Sequence, residues 1–145
     1  MANTVLAKFN VTLDPRVTRQ RAMDDAGLDF RPANVEKLFA DDAAGRSQVE
    51  LCLVHFARDL FSDEVIRELQ SRRLRPATFE ELLGFAASYR RLRCPFEIVA
   101  LGSIAEIGGR RNSASIWCGR TRRLQLVRWG GPAWPAECRF LAALQ

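Results

Sequence analysis

The sequence predicts an α+β domain with a mainly antiparallel sheet, and three observations carry that reading. Helix caps and helical spacing fall in the first two-thirds of the chain, which leaves room there for two or three helices. Short apolar runs separated by turn residues crowd the last third. The 145 residues, 48% hydrophobic and 27% charged, have ordinary globular composition. They suffice for one domain, residues 1–145, that buries about two-thirds of its unfolded surface without a metal or disulfide staple.

Asp14 followed by Pro15 reads as an N-cap with proline at the first helical position, and Gly27 as a C-terminal stop. A helix is therefore expected from Pro15 to Ala26, with Val17, Met23 and Ala26 as a modest apolar face. A turn or short helix covers Ala33 to Ala40, and Asp41 to Ser47 reads as a loop. From Gln48 to Ala57, Val49, Leu51 and Leu53 alternate with Glu50, Cys52 and Val54, the period of a strand. Ser62 is expected to cap a helix through Arg72, with Val65, Ile66 and Leu69 on one face and Arg67, Glu68 and Arg72 in water.

Thr78 and Glu81 match the T-x-x-E capping box, in which each side chain satisfies the other residue's otherwise orphaned N–H. The helix that follows should turn Leu82, Leu83, Ala86 and Tyr89 to the core. After Cys94 and Pro95, FEIVALGSI is apolar on both parities, as a central strand covered on both faces requires. Gly108 and Gly109 make a turn, SASIWC and LQLVRW are strands joined by a hairpin at Gly119 to Arg123, and CRFLAAL is the last strand. Phe140 and one parity of its leucines and alanines are expected inside.

The amino end has no basic segment followed by an apolar run, and no apolar stretch reaches the ~18 residues of a membrane span, so a cytoplasmic protein without membrane contact is expected. Cys52, Cys94, Cys118 and Cys138 form no C-x-x-C pair and have a single histidine to join them, so reduced thiols and no metal or cofactor are expected. Cys52 and Cys118 lie in apolar runs and read as small buried hydrophobes. His55 stands alone in its strand and reads as structural. Glu80 and Glu81 are adjacent on a helix and point about 100° apart, so they make no facing carboxylate pair. With no phosphate-binding glycine loop, H-E-x-x-H or G-x-S-x-G, a non-enzymatic role is expected.

The formal charge is +5, and only Lys8 and Lys37 are lysine. Between Glu106 and Glu137 there is no acidic residue, while Arg110, Arg111, Arg120, Arg122, Arg123 and Arg128 all fall there. Trp117, Trp129 and Trp134 share that segment. The first functional reading is a protein-recognition surface, because Trp and Arg dominate interface hot spots. The alternative is a nucleic-acid site on the arginine-rich hairpin 110–128, with aromatics available for stacking. The third reading keeps the arginines as a solvated hairpin face and the tryptophans as core. In RWGGPAWPAE, residues 128–137, two prolines stiffen a loop too short to bury both indoles, so at least one of Trp129 and Trp134 is expected in water.

Two segments carry a resemblance. LRPATFEELLGFAA, Leu74 to Ala87, resembles the R-L-P-T-x-x-E-W-E segment of formylglycine-generating and related sulfatase-modifying domains of the C-type-lectin-like fold. RWGGPAWPAECRFLAAL, Arg128 to Leu144, is similar to the carboxyl end of that fold in the variable proteins of diversity-generating retroelements. The resemblance implies a binding scaffold that displays Arg128, Trp129, Gly130, Gly131, Ala133 and Trp134. The chain has no E-P-N, Q-P-D or W-N-D segment and no matching cysteine pair, so calcium-dependent sugar binding and the oxidase reaction are not implied.

Overall fold

A computed structural model describes residues 4–40 and 47–145. Along the chain lie β1 (Thr4–Leu13), α1 (Arg19–Asp25), β2 (Ser47–His55), α2 (Ser62–Gln70), β3 (Leu74–Pro76), α3 (Phe79–Ser88), β4 (Glu97–Ile107), β5 (Arg110–Cys118), β6 (Arg122–Arg128) and β7 (Arg139–Leu144). The fold is α+β, as expected. Seven strands make one sheet in the order β1-β2-β7-β4-β5-β6, with the short β3 paired to the far end of β7. All pairings are antiparallel except β4 with β7.

Both faces of the sheet are covered, and this explains its central strands. One face carries Leu51, Leu53, Ile98, Ala100, Ile116 and Leu141 under α1 and α3, which contribute Met23, Leu82, Phe85 and Ala86. The other carries Val54, Val99, Leu101, Phe140 and Ala142 under α2 and the loop of residues 129–138. Residues 140–143 are therefore buried on both parities, which corrects the expectation of a half-covered last strand. β7 is central, so alternation has no solvent side to report.

Caps decide where the helices begin. Thr78 Oγ1 accepts from Glu81 N at 3.2 Å and Glu81 Oε1 accepts from Thr78 N at 2.9 Å, completing the capping box at α3. Ser103 Oγ on β4 accepts a further orphaned donor, Phe79 N, at 2.8 Å. The first helix starts at Arg19, with Thr18 as its cap; Asp14 instead accepts from Arg16 in a turn, so the expected helix loses its first turn. Ser62 lies inside α2 and is not its cap, since Phe61 occupies that position and Glu64 Oε1 accepts its N–H. Residues 35–37 form a single 3₁₀ turn, and residues 41–46 of the expected loop lie outside the described residues.

Gly102 shows a close approach that only glycine permits. An added Cβ would sit 2.5 Å from the carbonyl oxygens of Pro76 and Ala77, where β3 and the start of α3 cross β4. The strand register slips between Ala100 and Ala105 at the same place, so the crossing is built around a bulge.

Candidate functional site

The β5–β6 hairpin carries all of the predicted arginines, but it distributes them to different fates. In β6 the residues alternate: Arg122, Leu124 and Leu126 point to the α1/α3 face, while Arg123, Gln125 and Val127 point to the other. Arg122 is therefore buried, 3% exposed, between the ends of two helices. Its Nη1 donates to Ala26 O at 3.0 Å and Ala86 O at 2.6 Å, and its Nη2 to Tyr89 O and to Leu92 O at 3.3 Å. Neither α1 nor α3 has a basic residue in its last turn, and Arg122 brings a cation to both carboxyl ends from the sheet. Burial lowers its pKa, and Arg93 and Arg90 nearby push the same way; a guanidinium stays protonated regardless. Arg122 belongs to the core, which corrects its place among the surface residues.

The tryptophans divide similarly. Trp134 is 4% and Trp129 9% exposed, so the expectation of a solvent-facing indole in the 128–137 loop is overturned. The loop lies flat on the sheet because β2 and α2 supply its polar partners. Leu60 and Trp134 exchange backbone hydrogen bonds at 2.7 and 3.2 Å. Trp134 Nε1 donates to Ser62 Oγ at 2.8 Å, and Ser62 Oγ donates to Trp129 O at 2.7 Å. Trp134 also meets Phe140 edge-on, with ring centres 6.2 Å apart. His55 Nε2 donates to Ala136 O at 3.0 Å, the structural role expected of it.

What remains in solvent is a set of five arginines and one tryptophan. Arg110, Arg111, Arg120, Arg123 and Arg128 are exposed, and among the described residues none of them is within ion-pair distance of a carboxylate. Trp117, 41% exposed, sits opposite Arg123 in the register. Arg123 stacks on Phe30, 4.6 Å from its ring centre, because residues 29–30 hydrogen-bond along the outer edge of β6. Arg111 caps the buried Trp129 ring at 4.3 Å. Arg110, Arg111 and Arg128 thus gather at one end of the hairpin, and Trp117, Arg120 and Arg123 at the other.

Three further arginines join the second group, from outside the predicted segment. Cys94 N donates to Cys118 O at 2.9 Å, and Arg122 binds the carbonyls of Tyr89 and Leu92, so residues 89–94 lie against the start of the hairpin turn. That segment carries Arg90, Arg91 and Arg93, all exposed. Its R-R-L-R run is a basic signal in the sequence itself, but 27 positions separate Arg93 from Arg120, and only the β4–β5 pairing brings them together.

A cavity of about 770 Å³ opens between α1, α3 and the β1–β2 pair. Its central charges are joined to one another: Arg19 to Glu80 at 2.6 Å and Arg75 to Glu81 at 2.6 Å. Arg19 also donates to the carbonyls of Glu36, Phe39 and Ala40, which makes it a tie between segments. Among the described residues no three His, Cys, Asp or Glu side chains group as metal ligands, and no helix is long and apolar enough to cross a membrane. No protein-family model, curated protein or solved structure matches the chain, so the C-type-lectin-like resemblance rests on the two segments that carry it.

Proposed function

We propose that the protein is a binding module for single-stranded nucleic acid, which it holds along the turn end of the β5–β6 hairpin. One observation carries this reading: Arg120, Arg123 and the exposed rings of Trp117 and Phe30 share the turn end of the hairpin, and the backbone of the exposed Arg90–Arg93 segment lies against the same end. Clustered guanidiniums without carboxylate partners attract phosphates through counterion release, and open aromatic faces accept bases by stacking. A duplex offers its bases only through grooves, which a flat pair of rings on a hairpin does not enter.

Fluorescence anisotropy with a labelled single-stranded oligonucleotide tests the reading. Affinity should fall as salt rises, with a log–log slope corresponding to about three to five phosphates. Replacing Arg120 and Arg123 by Ala should flatten that slope by about one for each arginine that contacts a phosphate. Trp117→Ala should weaken binding ~10-fold with the slope unchanged, since stacking is worth ~1–3 kcal/mol per base. Absence of binding at low salt would overturn the reading.

The exposure of Trp117 beside Arg123 also favours a second reading, a protein partner anchored on that one indole. It is distinguished by a partner that survives nuclease treatment and high salt, and by loss of that partner in Trp117→Ala.

A further inference from the structure

The segment that carries the three additional arginines also carries Cys94, and it places that thiol beside a second one. Cys94 N donates to Cys118 O at 2.9 Å. With standard bond lengths on either side of that contact, the two Cα atoms lie no more than about 6.8 Å apart, within the span that a disulfide bridges. The two thiols are near enough to act on each other's ionisation. The four cysteines are unequal in access: Cys52, Cys118 and Cys138 are buried, and Cys94 is half-buried. Their surroundings also differ. The Cys118 thiol and the Arg122 and Arg139 guanidiniums favour the Cys94 thiolate, whereas the neighbouring Cys94 thiol and burial disfavour ionisation of Cys118.

We propose that Cys94 and Cys118 form a reversible thiol–disulfide site whose oxidant is a low-molecular-weight disulfide. Exposure sets the order of events. The Cys94 thiolate attacks one sulfur of the small disulfide; a mixed disulfide forms at Cys94, the original S–S bond breaks, and its electron pair leaves with the first small thiolate. Cys118 then gives up its proton to that thiolate or to water. Its sulfur attacks Cys94 Sγ, forms the Cys94–Cys118 bond, and expels the second small thiolate, which is protonated. Two protein thiols lose two electrons and two protons, and one small disulfide becomes two small thiols. Excess small thiol runs the sequence backwards. The guanidiniums around the entrance, Arg93 among them, favour a disulfide that bears carboxylates, such as oxidised glutathione.

The folded chain is incubated with oxidised glutathione, quenched by acid, alkylated, and read by intact mass and peptide mapping. The expected product has lost two of its four alkylatable thiols and yields a linked 94–118 peptide pair, both reversed by reduced glutathione. Cys52 and Cys138 should alkylate only after unfolding. Cys118→Ser should stop at the mixed disulfide on Cys94, and Cys94→Ser should take up no glutathione. Cys118→Ala replaces the serine variant if that one fails to fold, and the wild-type product is decisive without either. A wild-type chain that ends as the mixed disulfide alone, links any other pair, or keeps four thiols while folded overturns the proposal.

Discussion

At the scale of single residues, the sharpest contrasts are between side chains that look alike in sequence. Trp134 and Trp117 are an example. Truncating the first removes a ring packed on Phe140 and leaves Ser62 Oγ without its donor, whereas the second stands largely in water. Trp134→Ala should therefore cost ~3–5 kcal/mol of unfolding free energy. Trp117→Ala should stay within about 0.5 kcal/mol, both read by denaturant titration. Arg122 and Arg120 make the same comparison for charge. Arg122→Ala strips donors from four buried or half-buried carbonyls and should cost about 3 kcal/mol or more, while Arg120→Ala should leave the midpoint unmoved. The parity of β6 would have separated Arg122 from Arg123, because Arg122 shares a side with Leu124 and Leu126, but the charge run was read as a whole. No comparable pattern flagged the tryptophans, since a loop has no period. Cys138 gives a pH signature. Burial, with Glu97 beside it, pushes its thiol from 9.0 up to about 12. The unfolded chain releases this proton first, so the group's contribution is complete below about pH 9 and is lost as pH rises toward about 12. Stability should decline over that window, and less steeply in Cys138→Ala, by unfolding titrations at stepped pH.

At the scale of elements, what was legible depended on whether the signal was local. The α3 capping box was read from Thr78 and Glu81 alone, and Thr78→Ala should cost roughly 1 kcal/mol, seen as a lower denaturant midpoint with unchanged slope. Gly108 and Gly109 both adopt positive φ, 58° and 78°, in the expected turn between β4 and β5. The start of α1 was misplaced because Asp14 and Pro15 satisfy the rule for a cap, yet Asp14 is engaged by Arg16 and Thr18 does the capping. Ser62 was assigned to a cap on the same rule and is instead taken by two tryptophans far away in the chain. β3 is three residues long and too brief for any periodic signal. β1 carries one, with Phe9, Val11 and Leu13 alternating against Lys8, Asn10 and Thr12, and the sequence reading missed this edge strand.

At the scale of the molecule, composition and the order of helices and strands sufficed for an α+β sheet, but not for its strand order. The arginine-rich hairpin was legible as a charge run, whereas its partner at Arg90 to Arg93 depends on a pairing between segments that no local pattern encodes. The same holds for Cys94 and Cys118, which look isolated until β4 and β5 are laid side by side. Strand order also has a consequence for how the chain is made. β7 joins β1-β2 to β4-β5-β6, and six strands leave the ribosome before it does. Its partner residues Leu51 and Ala143 are 92 positions apart, so the contact that unites the sheet is among the most distant in sequence and closes slowly. Until then β2 and β4 expose apolar faces and unpaired edges. A chain stopped before Arg139 should therefore remain wholly protease-sensitive, losing the fold at once instead of one strand of it. The two halves of the sheet are united only when β7 has been delivered.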